Sequence, residues 1–143
     1  MNLSPNLPPN IDEIKAAIPD IDITKMVFTY GDTVYNVPLD VDGHPIPLSP
    51  HLEVHERVHI QQQTASDTTP ALWWSKWLTD DDFKLQQELE AYAKQYAFVR
   101  GFAPMEQCAQ FLFQLAGSLS SDYGLPLSLP EAESKIRNKA KAL

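Results

Sequence analysis

The character of the chain changes at Ser49-Pro50, and this boundary restricts the possible folds more than any other feature of the sequence. Before it, prolines and glycines separate short runs rich in β-branched and aromatic residues, such as TVYNV at 33–37. After it, no Gly or Pro occurs between residues 51 and 65, and Ser followed by Pro is a typical helix start. The sequence therefore predicts an α+β fold, mainly helical, with a small antiparallel sheet at its N-terminus.

The first twenty residues contain two local signals. Residues 1–9 carry three prolines and predict an extended arm. Asn10, followed by Glu13, fits a capping box, which would open a short helix that ends before Pro19. The arm is therefore expected to lead into a helix at about residue 10.

Residues 23–48 predict the sheet. The runs ITKMVFTY and TVYNV are separated by Gly31-Asp32, a pair suited to a two-residue hairpin turn because Gly readily adopts a positive φ. Asp42-Gly43 is a second turn signal, and it predicts a third short strand at 44–48. Because Pro45 and Pro47 cannot donate backbone hydrogen bonds, that strand is restricted to an edge of the sheet.

Capping and breaking residues predict four further helices along the rest of the chain. These are a short helix after Thr69-Pro70 that bears three tryptophans, a long helix from Asp80 to Arg100, an apolar helix after Pro104, and a last helix capped by Ser128. At 143 residues the chain has the length of a single domain. We divide it into an arm at 1–9, a core at 10–100 and C-terminal helices at 101–143.

The charge balance limits the partners of the protein. Eleven Lys and Arg residues stand against 19 Asp and Glu residues, which gives a net charge of −8. Such a surface repels the phosphates of nucleic acids and anionic membranes, so neither is an expected partner. The sequence contains no secretory signal and no apolar run long enough to span a bilayer, and a single cysteine excludes an internal disulfide. We therefore expect a cytoplasmic protein.

Residues 55–59 read His-Glu-Arg-Val-His within the helix that begins at Pro50. Positions i and i+4 lie about one turn apart and about 40° around the helix axis, so the imidazoles of His55 and His59 can reach one ion. Glu56 lies about 100° from His55, which is too far for a third ligand but suits a contact with water at the metal. The pattern predicts a zinc site with Glu56 as general base, provided that another segment supplies a third ligand.

The long helix offers two candidates for that third ligand. Glu88 and Glu90 are two residues apart, so they face different sides of the helix and only one of them can face the ion. We favour Glu88, because Ala91 then leaves room for the histidine helix. Tyr92, four residues after Glu88, lies on the same face, where its hydroxyl could support a ligand or the bound substrate.

Two other residues of the histidine helix lie near the expected site. Gln62 falls almost directly above His55 two turns on, where it can orient a ligand or pack beside the site. His51 is one turn before His55, but three consecutive turns span too much rise for three histidines to converge on one ion. We therefore expect His51 to lie outside the ligand set.

HERVH, followed 29 residues after His59 by ELEAY, resembles the gluzincin metallopeptidases and particularly the minigluzincins. In that group a second helix carries the glutamate in an E-x-x-A/S-D/N pattern, whose first four positions match Glu88-Leu-Glu-Ala91. The resemblance covers residues 23–100 and implies a zincin-like fold, and small proteins of this layout are often encoded by phages or bacteria. Tyr92 departs from the pattern, because those families usually have an Asp or Asn there that holds a ligand histidine by its second nitrogen.

The resemblance implies a zinc metallopeptidase that hydrolyses a peptide or protein substrate. Zn²⁺ would be held by His55, His59 and Glu88, with water at the fourth position. Glu56 would accept a proton from that water and pass it to the departing amine. Three residues with suitable donors remain candidates for stabilising the oxyanion: Tyr92, Tyr96 and His44.

Two alternatives remain open from the sequence. The first is a metallopeptidase-like structural or interaction protein, such as a virion or assembly component, in which the zinc is non-catalytic or absent. The second is an α+β binding domain in which HExxH has arisen by chance. The sequence does not indicate the oligomeric state or the cleavage specificity.

Overall fold

The computed structural model describes residues 1–143 and contains six α-helices and one three-stranded sheet. The strands are β1 (Asn2–Leu3), β2 (Phe28–Tyr30) and β3 (Thr33–Tyr35). The helices are α1 (Ile11–Ala17), α2 (Pro50–Gln63), α3 (Pro70–Thr79), α4 (Asp81–Arg100), α5 (Met105–Ser121) and α6 (Leu129–Lys141). The mainly helical architecture with a small N-terminal sheet is confirmed.

The sheet differs from the predicted one because its third strand comes from the N-terminal arm. The strand order is β1-β3-β2, with β2 antiparallel and β1 parallel to β3, so the sheet is mixed rather than antiparallel. The arm continues along β3, where the Ser4 N–H donates to the Val34 carbonyl oxygen. The predicted strand at 44–48 is wrong: this segment contributes only an isolated bridge between Pro45 and Leu39. Its two prolines remove the donors that a longer ladder needs.

The predicted turns form and three predicted cap residues act as expected, whereas the side chain of Ser49 makes no capping bond at the start of α2. Gly31-Asp32 form the loop of the β2–β3 hairpin, with a φ of 65° at Gly31. The side chains of Thr69, Asp80 and Ser128 each accept a hydrogen bond from a backbone N–H three residues on, at the starts of α3, α4 and α6. The capping box at Asn10 is wrong: its side chain makes no capping bond, and its amide atoms are buried without a partner.

Helix α4 lies at the centre of the molecule and packs against α2, α3, α5 and α6. Its buried face joins one hydrophobic core that includes all three tryptophans of α3 and the apolar faces of α5 and α6. β2 contacts α2, which places the hairpin beside the HERVH segment. None of the helices combines the length and the apolar composition that crossing a membrane would require.

Candidate metal site

His55, His59 and Glu88 meet at the contact between α2 and α4. The two Nε2 atoms lie 3.1 Å apart, and Oε2 of Glu88 lies 3.5 Å from that of His55 and 3.4 Å from that of His59. Zinc bonds of about 2.0–2.2 Å place the ligands of a tetrahedral ion roughly 3.3–3.6 Å apart. The three atoms therefore form a triangle close in size to one face of such a tetrahedron.

Two glutamines fix the orientation of the histidine rings. Nδ1 of His55 is 2.9 Å from Oε1 of Gln95, and Nδ1 of His59 is 2.9 Å from Oε1 of Gln62. An amide oxygen only accepts hydrogen bonds, so both Nδ1 atoms carry a proton and donate it. Each ring therefore directs Nε2 into the cluster, which is the arrangement that metal-binding histidines adopt.

The carboxylate of Glu88 is held at one oxygen and free at the other. The indole N–H of Trp77 donates to Oε1 at 2.9 Å, whereas Oε2 is buried and has no hydrogen-bond partner. A buried carboxylate oxygen without a donor is costly unless a cation neutralises it. Glu90 lies outside the cluster, where it accepts from Gln62 and pairs with Lys94. The structure thus brings Glu88, and not Glu90, to the histidines.

The charges of the cluster are strongly coupled in the metal-free protein. Burial lowers the pKa of His59, but the attraction of the adjacent Glu88 carboxylate outweighs it and raises that pKa to about 9. Burial raises the pKa of Glu88, yet His59 and His55 together hold it well below its usual range. A proton on His59 therefore balances the carboxylate near neutral pH. A metal ion would take the place of that proton.

These observations together fit a bound cation. His55, His59 and Glu88 expose between 3% and 6% of their surface, and their ligand atoms all lie within 4.8 Å of one another. Once that proton is displaced, the set comprises two neutral nitrogen donors and one anionic oxygen, which suits a divalent transition metal and leaves a fourth position without a protein ligand. The three residues can therefore hold a metal ion.

Glu56 is buried beside the cluster and is oriented by the sheet. Its Oε2 accepts a hydrogen bond of 2.6 Å from the Thr29 hydroxyl of β2. The Thr29 main chain is fixed in turn, because its carbonyl oxygen accepts from the side-chain amide of Gln63 at 2.8 Å and from the indole of Trp74 at 3.0 Å. The second carboxylate oxygen of Glu56 makes no hydrogen bond with the protein, so it can exchange a proton with a bound molecule.

Tyr92 does not support a ligand through its hydroxyl, in contrast to one of its expected roles. Its ring packs edge-on against the His55 ring at 4.5 Å, while its hydroxyl pairs with that of Tyr123 at 2.7 Å. The expected bond to His55 comes instead from Gln95, three residues further along α4. Burial, together with the Glu88 charge, raises the pKa of both tyrosines, so both hydroxyls stay protonated. One of them donates to the other, and the hydrogen of the second hydroxyl stays available.

Tyr123 reaches the site from the connection between α5 and α6. Its carbonyl oxygen accepts from Nζ of Lys84, a buried residue one turn before Glu88 whose ammonium lies 4.6 Å from the Trp77 ring centre. Two cavities adjoin the cluster, of about 40 Å³ and about 220 Å³, and Tyr123 lines both. Segment 121–128 therefore completes the wall of the site.

The remaining candidates lie away from the cluster. His51 accepts at Nδ1 from the Gln95 amide, so it contacts a support of His55 rather than the ion position. His44 is exposed in the loop before α2, next to Asp40. The ring of Tyr96 is buried against the Arg100 guanidinium. Of the three residues considered for the oxyanion, only Tyr92 borders the site.

Four residues of the site were not found from the sequence. These four are Thr29, Trp77, Gln95 and Tyr123. Each of them bonds to a predicted residue or lines the cavity beside it. Gln95 lies seven residues after Glu88 and thus on the same face of α4, a signal that periodicity could have supplied. No local pattern indicates the other three, because their proximity depends on packing between distant segments.

Comparison of the chain with protein-family models, with curated proteins and with solved structures found no significant match. The resemblance to gluzincins therefore rests on residues 55–59 and 88–91 alone, and the structure adds that His55, His59 and Glu88 lie close enough to hold a metal ion.

Proposed function

We propose that the protein is a zinc-dependent metallopeptidase of gluzincin type that hydrolyses peptide bonds. The observation that carries this proposal is the triangle of His55 Nε2, His59 Nε2 and Glu88 Oε2, with Glu56 buried beside it. Two histidines and a glutamate are a ligand set of catalytic zinc sites, in which the fourth position is open to water or substrate. Structural zinc sites usually have four protein ligands, often with cysteines, and the one cysteine here is buried outside the cluster.

The chain's own residues supply the proton transfers. A bound zinc ion contributes Lewis acidity, which polarises the scissile carbonyl and activates water. Glu56 takes a proton from the water as the C–O bond forms, and it delivers that proton to the amine nitrogen as the C–N bond breaks. The Thr29 hydroxyl holds one oxygen of Glu56 and leaves the other free for this exchange. Tyr123, which lines both cavities, replaces Tyr96 and His44 as a candidate donor to the carbonyl oxygen.

The decisive experiment separates metal binding from hydrolysis. We expect Glu56→Gln to retain one zinc ion per chain and the wild-type melting temperature but to lose about 10²–10⁴-fold in kcat/KM on a mixture of fluorogenic peptides. Glu53→Gln makes the same chemical change one turn earlier, at a residue paired with Arg57 on the surface, and should keep full activity. Equal activity in Glu56→Gln and in the wild type would refute the role of Glu56.

The ligand assignment has its own control in the same helix. Glu88→Ala should lose stoichiometric zinc, whereas Glu90→Ala, which removes the partner of Gln62, should bind zinc close to normally. Elemental analysis of dialysed protein measures both. A greater loss in Glu90→Ala would overturn the choice of Glu88.

A second candidate function is a metal-stabilised structural or interaction protein. The observation that favours it is the enclosure of the cluster, whose three residues expose at most 6% of their surface, beside a chamber of only about 40 Å³. Zinc that binds stoichiometrically and stabilises the fold, in a protein that hydrolyses no peptide in the mixture, would support this second function.

A further inference from the structure

Three neighbouring cavities extend from the metal cluster towards the protein surface. The inner chamber of about 40 Å³ and the cleft of about 220 Å³ share Met26, Glu56 and Tyr123 among their lining residues. The cleft in turn shares Lys25, Met26 and Asp122 with an outer cavity of about 330 Å³. The outer cavity has the size of a small-ligand pocket, which is usually about 300–1,000 Å³. A molecule bound in the cleft therefore lies next to the residues of the outer cavity.

The lining of the outer cavity is acidic. Asp20, Asp22 and Asp122 border it, and Lys25 is the only Lys or Arg that lines any of the three cavities. Nζ of Lys25 lies 3.7 Å from Oδ2 of Asp22, so these two charges compensate each other. The carboxylates of Asp20 and Asp122 are left without a cationic partner.

Both of these carboxylates are accessible to a bound molecule. Asp20 and Asp122 are exposed, and neither forms an ion pair within the protein. The one hydrogen bond to either side chain comes from the Ser121 hydroxyl, which donates to Oδ1 of Asp122. Oδ2 of Asp122 and both carboxylate oxygens of Asp20 can therefore accept hydrogen bonds from a ligand.

The charge of Asp122 acts within the site itself, because Asp122 lines the cleft as well as the outer cavity. Burial and the Glu88 charge raise the pKa of the Tyr92 hydroxyl, and the Asp122 carboxylate adds to that rise. The Tyr92 ring packs against the ring of His55. Asp122 is thus close enough to affect a substrate that lies at the ion position.

The charges of the remaining molecule do not oppose this local field. The chain has a net charge of −8, and such a charge attracts cations towards clefts that are lined by carboxylates. Four of its 11 Lys and Arg residues lie on α6, and none of the four borders the three cavities: Lys135, Arg137, Lys139 and Lys141. The approach to the site therefore favours positively charged molecules.

We propose that the site selects peptides with a lysine, an arginine or another cationic side chain close to the scissile bond, and that Asp20 and Asp122 bind this cation in the outer cavity. The inference rests on the proposed peptidase function and adds the substrate class to it. A cationic side chain forms charge-assisted hydrogen bonds with the two carboxylates, whereas an acidic side chain is repelled by them.

A lysine scan with the zinc-loaded protein tests this selection. A short blocked peptide of alanine and leucine carries lysine, acetyl-lysine or glutamate at one position at a time, and mass spectrometry gives kcat/KM and the bond that is cut. At one or two positions we expect lysine to exceed acetyl-lysine about three- to tenfold in low salt, with glutamate the poorest. The advantage should fall towards one in about 0.5 M salt, because salt screens exposed charges.

Two results of the scan would overturn the inference. The first is a lysine advantage at no position. The second is an equal advantage at every position, because the net charge of the protein alone would produce it.

Neutral variants connect the preference to the two carboxylates. Asp20→Asn and Asp122→Asn should each reduce the lysine-to-acetyl-lysine ratio about two- to threefold, and the double variant should bring it close to one. Asp67→Asn makes the same change in net charge at an exposed position outside the three cavities, and should keep the wild-type ratio. Lys25→Gln removes the cation of the outer cavity and should raise the ratio. An unchanged ratio in the double variant, at the wild-type melting temperature, would refute the role of the carboxylates.

Calorimetric binding separates failure of the inference from failure of the proposed function. Zinc-loaded Glu56→Gln is mixed with the lysine and acetyl-lysine peptides, so that affinity is measured without turnover. Tighter binding of the lysine peptide, in a protein whose wild type hydrolyses none of the peptides, would refute the peptidase and support the cation selection. Hydrolysis without a lysine preference would refute the selection and retain the peptidase, and neither binding nor hydrolysis would refute both.

Discussion

At the scale of single residues, the site depends on amide side chains whose oxygen and nitrogen have different partners. Gln62 accepts from His59 with its oxygen, while its nitrogen donates to Glu90 and to the Gln87 carbonyl oxygen. Both of these nitrogen partners are acceptors, so the orientation of the amide is fixed. Gln95 bridges two histidines, with its oxygen on Nδ1 of His55 and its nitrogen on Nδ1 of His51. The ring nitrogens that face the ion position are thus set by hydrogen bonds on the far side of each ring.

The Gln95 contact gives a prediction about metal affinity. Gln95→Leu removes the acceptor for His55 Nδ1–H, and we expect zinc affinity to fall about 10–100-fold. Gln86→Leu, at an exposed position of α4, makes the same change without touching the site and serves as the control. Tyr92→Phe should retain most of the affinity, because the lost hydroxyl pairs with Tyr123. Competition with a chromophoric chelator measures all three, and an equal loss in Tyr92→Phe would contradict the assignment.

At the scale of helices and strands, the helix starts show that a capping residue in the sequence does not always make a capping hydrogen bond in the structure. Thr69 and Asn10 are both good capping types, but only the Thr69 side chain accepts from the first turn of its helix. The Asn10 amide is buried against the rest of the molecule instead. Whether a residue with a high capping propensity makes the capping bond depends on packing, which no local sequence pattern describes.

Because of this difference, replacement by alanine should destabilise the fold more at Thr69 than at Asn10. Thr69→Ala should lower the free energy of unfolding by about 1 kcal/mol, because the Leu72 N–H loses its acceptor. Asn10→Ala removes no capping bond and two buried polar atoms that lack partners, so it should cost less than Thr69→Ala. Urea unfolding monitored by circular dichroism measures both. A larger cost at Asn10 would show that its side chain has a partner in solution.

At the scale of the whole molecule, the metal ligands join two helices that are far apart in the sequence. His55 and His59 belong to α2, Glu88 belongs to α4, and α4 in turn contacts α3, α5 and α6. An ion at this position would cross-link the segment that follows the sheet to the central helix. Because binding requires the folded arrangement of all three residues, the free energy of binding adds to the stability of the fold.

Removal of the metal should therefore lower the melting temperature. Free zinc at about 100 times its dissociation constant adds about 2.7 kcal/mol, which corresponds to a shift of roughly 5–10 °C for a domain of this size. A chelator should reverse the shift, and His59→Ala should abolish it. His44→Ala removes an exposed histidine outside the cluster and should respond like the wild type. Calorimetric scans with and without zinc test this, and an equal response in His59→Ala would contradict the site.

The sequence predicted the helices better than the sheet, for a physical reason. Helix starts and stops are local, so Ser49-Pro50, Thr69-Pro70 and Gly101 indicate boundaries close to those observed. The pairing of Asn2–Leu3 with β3 joins residues about thirty positions apart, and nothing within the arm specifies it. The same holds for the site: helical spacing predicted the positions of His55, His59 and Glu88. The contacts of Thr29 and Tyr123 depend on loops whose paths are set by packing.

The hydrogen bonds of Gln63 with Thr29 and Gly31 at the edge of β2 also bear on how the protein behaves at high concentration. Unpaired strand edges are templates on which second copies add, and sheets that grow in this way lead to fibrils. At one side of this sheet Gln63 and Trp74 donate to the Thr29 carbonyl oxygen and Gln63 accepts from the Gly31 N–H, and both groups would otherwise pair with an added strand. At the other side β1 is only two residues long. The sheet thus offers incoming chains no long edge, and we expect little amyloid-like self-association of the folded protein.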